Sequence, residues 1–207
     1  MKNLPQKICL ASKSPRRREL LRQIGIDFEL LLLLDKAPRR PDVDEKMRKN
    51  EQLAEYVARV VTREKAAFAC KARHWRRILT YPIMTADTKV NIEGTILGKP
   101  ADITEVVDML QQLSGCTHLI LTNVVVMHLE QFWQITQSSE VVFQTLSDET
   151  IRAYCATSEP YDKAGAYGIQ GPAAIFIKRI NGIHSGIMSL PLFKATQILQ
   201  KAGIRIL

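Results

Sequence analysis

The chain has 207 residues, 46% of them hydrophobic, which is enough for one sizeable domain with an apolar core. No stretch approaches the roughly 20 apolar residues of a membrane span, and no charged-then-apolar signal segment opens the chain. Cys9, Cys70, Cys116 and Cys155 are too scattered for a C-x-x-C pair, which fits reduced thiols in a cytoplasmic protein. The formal charge of +8 is concentrated early: residues 1–79 hold 20 Lys and Arg against 10 Asp and Glu, and the remainder holds 9 against 11.

Residues 8–11 read as a strand. Ser14 then suits an N-cap, Pro15 the first helical position and Gly25 the close of a helix. Residues 28–34 read as a strand, with the leucine run inside it buried, and 35–50 as a charged loop. Leu53, Val57, Val60, Val61 and Phe68 share one face of a helix expected over 51–72, with Glu64 on that face and Lys65 at its edge. A strand follows over 82–92, and Glu93-Gly94 makes a hairpin turn into Thr95-Ile96-Leu97. Beyond Gly98-Lys99-Pro100 a helix is expected over 103–113, ending at Ser114-Gly115, then strands over 118–129 and 141–146. Ser147 caps a short helix, and 162–171 form a glycine-bearing loop. A strand over 173–180, a turn at Asn181-Gly182 and a helix over 191–202 complete the chain. With no internal repeat or linker, residues 1–207 are expected to form a single α/β domain around a mixed sheet.

The first strand, turn and helix bring Ser12-Lys13-Ser14-Pro15-Arg16-Arg17-Arg18 to a helix N-terminus. Cations there oppose the helix dipole unless an anion compensates, so the turn reads as an anion site, most naturally for phosphate. Asp87 can hold a divalent metal or deprotonate water. Taken alone it is a solvated strand-end carboxylate, just as Lys65 and Lys99 alone are surface lysines. Glu45, in an acidic cluster, could complete a magnesium site with Asp87. Gly165, Gly168 and Gly171 let the backbone approach a ligand closely, and Gln170 between them offers an amide suited to the edge of a base. A basic nucleic-acid- or partner-binding protein is the competing reading of the charge, although aromatic interleaving and known nucleic-acid signatures are missing.

In this order, the segments Leu10-Ala11-Ser12-Lys13-Ser14-Pro15-Arg16-Arg17, Asp44-Glu45, Arg63-Glu64-Lys65-Ala66, Ala86-Asp87-Thr88, Gly98-Lys99-Pro100, Leu113-Ser114-Gly115, Asp162–Gly171 and Leu190-Pro191-Leu192 resemble the Maf family of nucleoside triphosphate pyrophosphatases. The resemblance implies an elongated mixed β-sheet with flanking helices, in two lobes around a central cleft, as in the related ITPase-like folds. It implies hydrolysis between the α and β phosphates with a divalent cation, Mg2+ or Mn2+. Family members are associated with removing excess or non-canonical nucleotides, some with septum control, and many form homodimers.

By the same resemblance Asp87 accepts the proton of water, Glu45 and Asp87 hold the metal, and Lys65 and Lys99 bind phosphate with the Ser14 and Arg17 turn. Arg16, Thr88 and Gln170 match the positions that divide the family by substrate. This combination marks the branch acting on dTTP, UTP and modified pyrimidines; a branch acting on 7-methyl-GTP carries others, and a pyrophosphatase for that or another modified nucleotide is the alternative within the family. The chain departs from the pattern in an apparently extra segment over 36–41, in Asn123 and Ser189 where glycine is usual, and in Lys89 where an apolar residue is common.

Overall fold

The computed structural model describes residues 7–31, 55 and 81–206. The expected helix over 51–72 (apart from Glu55, which is helical), the 35–50 loop, Glu45, Lys65 and Cys70 lie outside the described residues. Among the described residues the chain forms an α/β fold around a seven-stranded mixed sheet whose strands lie in the order 27–30, 7–10, 83–92, 117–128, 131–143 and 177–181, with 95–97 paired to 83–92.

Lys7–Leu10 forms β1 and Pro15–Gln23 forms α1. Asp27–Leu30 returns as β2, parallel to β1 with Lys7 opposite Asp27. This is a βαβ unit, the connection that parallel neighbours require. Its helix starts as the sequence indicates: the Ser14 hydroxyl accepts from the Arg17 N–H and Pro15 occupies the first turn. It ends on Gly25 at φ 70°, whose N–H donates to the Arg22 carbonyl while that of Ile26 donates to Leu21. This is a Schellman closure, and it needs the left-handed backbone that glycine adopts most readily.

Ile83–Ile92 is β3, parallel to β1 with Leu10 opposite Met84. Glu93 and Gly94, at φ 49° and 87°, turn it into β4, Thr95–Leu97. Positive φ at both turn residues matches the right-handed twist of the hairpin. Ile103–Leu113 is α2, capped by Asp102. Thr117–His128 and Gln131–Phe143 are β5 and β6, and Asp148–Cys155 is α3, capped by Ser147. Ile177–Asn181 is β7, antiparallel to β6. His184–Ile187 and Leu192–Lys201 are α4 and α5.

Two boundaries differ from the sequence reading. The strand expected over 173–180 begins only at Ile177, because Pro172–Phe176 closes into 3-10 turns with the Ala174 N–H donating to Gly171. The strand expected over 141–146 instead starts at Gln131; its polar first half obscured an alternation that is only half-buried. Of the strand expected over 28–34, the described part ends at Leu30, which is exposed, with Leu31 buried beyond it; 32–34 lie outside the described residues.

The chain divides into two compact units interleaved along the sequence. One takes the residues up to Asp87, Asn123–Thr136 and those from Ser189 on; the other takes Thr88–Thr122 and Gln137–Met188. In the first, Cys9, Leu31 and Ile83 pack together beneath Tyr81. In the second, Val106, Leu110 and Leu113 of α2 meet Val141, Phe143, Ile151, Tyr154, Tyr167 and Phe176 in one core. Among the described residues no helix is long and apolar enough to cross a membrane.

Candidate active site

The first unit builds its polar centre where β1 ends. The Ala11 N–H donates to the Met84 carbonyl, so the turn leaving β1 runs alongside the part of β3 that leads to Asp87. The carboxyl ends of parallel strands are where open α/β sheets bind ligands. The Ser12 hydroxyl accepts from the Ser14 N–H at 3.2 Å and from Arg17 Nη1 at 3.0 Å, while Arg17 Nε donates to the Ser189 carbonyl at 3.0 Å.

The three consecutive arginines have three different fates. Arg17 is buried and tied internally. Burial lowers its pKa to about 10, the charge of Asp87 opposes that drop and neighbouring Arg16 adds to it, so the guanidinium stays charged at neutral pH. Arg18 folds back, donating to the carbonyls of Lys13 and Ser14. Arg16 is half-buried, and its buried Nε has no hydrogen-bond partner among the described residues. A cationic donor left over at a helix N-terminus suits an anion. Asp87 itself is half-buried near the C-terminal half of this unit's β3 segment.

The second unit carries Thr88, Lys99 and Gln170. Thr88 is half-buried, and its hydroxyl lies 2.9 Å from that of Thr122, which donates to the Gly186 carbonyl at 2.8 Å. Lys99 is exposed on a loop fixed on both sides: the Gly165 N–H donates to the Gly98 carbonyl, and Glu105 accepts from the Ala101 N–H as α2 begins. Gln170 is exposed at the third position of a turn closed by the Gly171 N–H on the Gly168 carbonyl.

In the loop around Gln170, Gly168 and Gly171 lie against the chain's own Glu159: a Cβ at either position would overlap its carboxylate, and at Gly168 the Lys163 side chain as well. That carboxylate also accepts from the Ala173 N–H, and Lys163 donates to both the Glu159 carbonyl and Asp162. From inside, Tyr167 is held by His118, with Nε2 2.6 Å from the phenol oxygen and both rings edge-on to Phe143. Burial pushes His118 down to about 4 and pushes Tyr167 and Tyr154 up, so all three are neutral at physiological pH. The sequence pointed to no role for Glu159 or for the Thr88–Thr122 contact, and His118, which opens a largely apolar strand, read only as a structural or surface histidine.

A family model described as Maf-like protein matches residues 7–202. The chain belongs to the Maf-like family. This Maf-like chain is 47% identical over 204 residues to the dTTP/UTP pyrophosphatase of Aromatoleum aromaticum, covering 98% of each. It is 42% identical over 199 residues to the dTTP/UTP pyrophosphatase of Dechloromonas aromatica, covering 96% of this chain and 98% of the relative. It is 44% identical over 202 residues to a nucleoside triphosphate pyrophosphatase of Haemophilus ducreyi, covering 98% of each.

Two departures of this Maf-like chain from the family pattern have different structural outcomes. Asn123, in place of glycine, is fully buried and donates to the Thr136 hydroxyl at 2.8 Å, so its amide is accommodated. Ser189, also in place of glycine, sits at φ 103° with a buried hydroxyl that has no partner among the described residues. The backbone carbonyl of Ser189 is the acceptor for Arg17, a contact that does not involve its side chain, while the positive φ strains a residue that has one.

Proposed function

We propose that this protein hydrolyses nucleoside triphosphates, dTTP and UTP foremost, to the monophosphate and pyrophosphate. The observation that carries the reading is a carboxylate, Asp87, within the field of a buried guanidinium, Arg17, at the head of a helix whose first turn is basic. Asp87 takes a proton from water as the water oxygen bonds to the α-phosphorus. The bond from that phosphorus to the bridging oxygen breaks, and pyrophosphate leaves. The head of α1, with the Ser14 and Arg17 turn, receives phosphate oxygens. Arg17 keeps the turn in register with Asp87. Lys99 and Lys65 neutralise phosphate as point charges.

Asp87 and Glu45 would hold a divalent cation. A hard carboxylate oxygen on an ordered strand fits Mg2+ or Mn2+, which take one or two carboxylates and complete their shell with phosphate oxygens and water. When bound, the cation offsets the negative charge on the phosphate oxygens. Arg16 and Gln170 carry donors suited to the carbonyls of a pyrimidine, and Thr88 carries a hydroxyl suited to its ring edge.

The reading extends to a cytoplasmic location, in keeping with a fold in which no disulfide joins the described cysteines. By family resemblance it also extends to a homodimer, which light scattering would check. The direct test of function is pyrophosphate release from dTTP and UTP with Mg2+, which should stop on adding EDTA and resume when Mg2+ is restored in excess. No release from either nucleotide would refute the proposal.

A further inference from the structure

We infer that Thr122 is a positioning residue for base selection: it fixes the Thr88 hydroxyl as an acceptor, so that Thr88 takes the N3–H of uracil or thymine and rejects cytosine. The inference rests on the reading of Thr88 as a base-contacting residue.

A threonine hydroxyl has one proton to donate and lone pairs to accept with. The Gly186 carbonyl can only accept, and it lies 2.8 Å from Thr122 Oγ1, so the Thr122 proton points at Gly186. The 2.9 Å contact between Thr122 and Thr88 is then a hydrogen bond only if Thr88 donates it. The reverse polarity would leave a Thr122 lone pair facing a carbonyl oxygen in a fully buried place. The acceptor is itself held, because the Gly186 N–H donates to the Ile183 carbonyl at the start of α4. β3 and β5 are sheet neighbours, which keeps the two threonines side by side.

With its proton committed, the half-buried Thr88 can offer a ligand only lone pairs. A base atom facing it must therefore donate. Uracil and thymine have one donor on the ring edge, N3–H, flanked by two carbonyls. Cytosine presents a bare N3 at that place, so lone pair meets lone pair and both groups lose their water without gaining a partner. Cytosine could satisfy Thr88 only by shifting its amino group there, out of line with the carbonyl contacts. Thr122 touches no substrate; it acts by setting the direction of one proton.

The test measures kcat/KM for UTP and CTP by pyrophosphate release in the wild type, Thr122→Val and Thr122→Ser. The wild type should favour UTP. Thr122→Val frees the Thr88 proton to donate to cytosine N3, so the preference should shrink by about tenfold, chiefly through a gain for CTP. Thr122→Ser keeps the relay and should keep the wild-type ratio. A gain of CTP turnover is not what mere loss of structure produces; Thr122→Ala asks the same question should the valine variant fail to fold. An unchanged ratio in Thr122→Val, or a wild type indifferent between UTP and CTP, overturns the inference alone. A wild type that releases pyrophosphate from neither overturns the hydrolase reading and this inference with it.

Discussion

Replacing Ser189 by glycine should stabilise the protein. Ser189 adopts φ 103° and is 6% exposed, with a buried hydroxyl that has no partner among the described residues. Backbone strain of this kind costs about 1–3 kcal/mol, and a buried polar group left unsatisfied about 1–3 kcal/mol. Glycine removes both but adds about 0.5–1 kcal/mol of chain entropy lost on folding. A net gain of about 3 kcal/mol follows from the middle of these ranges, or roughly 6–12 °C in Tm for a chain of this size. The Arg17 hydrogen bond runs to the backbone carbonyl and survives the change. Thermal unfolding of Ser189→Gly beside Ser189→Ala separates the two terms, since alanine removes the hydroxyl and keeps most of the strain. A glycine variant that melts at or below the wild type would refute the strain argument.

Two further outcomes are expected. Burial lowers His118 to about 4 from its ordinary 6.5, so the folded protein binds fewer protons than the unfolded chain between those values. Stability is therefore fully present above pH 6.5 and falls as pH drops toward 4, by about 3 kcal/mol at most from this residue; urea unfolding at pH 7.5 and pH 5 should show a larger loss in wild type than in His118→Phe. Gly171→Ala pushes a methyl group into the Glu159 carboxylate, which must swing aside and release the Ala173 N–H beside the turn carrying Gln170. It should raise KM for dTTP by about tenfold or more while lowering kcat less, measured by steady-state pyrophosphate release.

Much of this fold could be read from local chemistry. Ser14, Pro15 and Gly25 mark both ends of α1, and Glu93-Gly94 marks a hairpin, because caps and turns depend on a few adjacent residues. The polar first half of β6 escaped because its residues alternate only weakly between buried and exposed, and Pro172–Phe176 escaped because an apolar run does not distinguish a strand from 3-10 turns. At the candidate site, the residue types were legible and their commitments were not. Three arginines in a row look equivalent, yet one is locked to Ser12 and Ser189, one folds back on the turn, and one keeps an unspent donor. Partners such as Ser189, Thr122 and Glu159 lie 172, 34 and 14 residues from what they hold, and no local pattern points to them.

The central claim is that Asp87 takes the proton of the attacking water in a nucleoside triphosphate pyrophosphatase. It is tested most directly by pyrophosphate release from dTTP, UTP, CTP and 7-methyl-GTP with Mg2+, comparing wild type with Asp87→Asn. Release from dTTP and UTP is expected in the wild type, and loss of it by about 100-fold or more in the variant with secondary structure unchanged. Full activity in Asp87→Asn would contradict the assignment of the base, and no release from any of the four by the wild type would contradict the function itself.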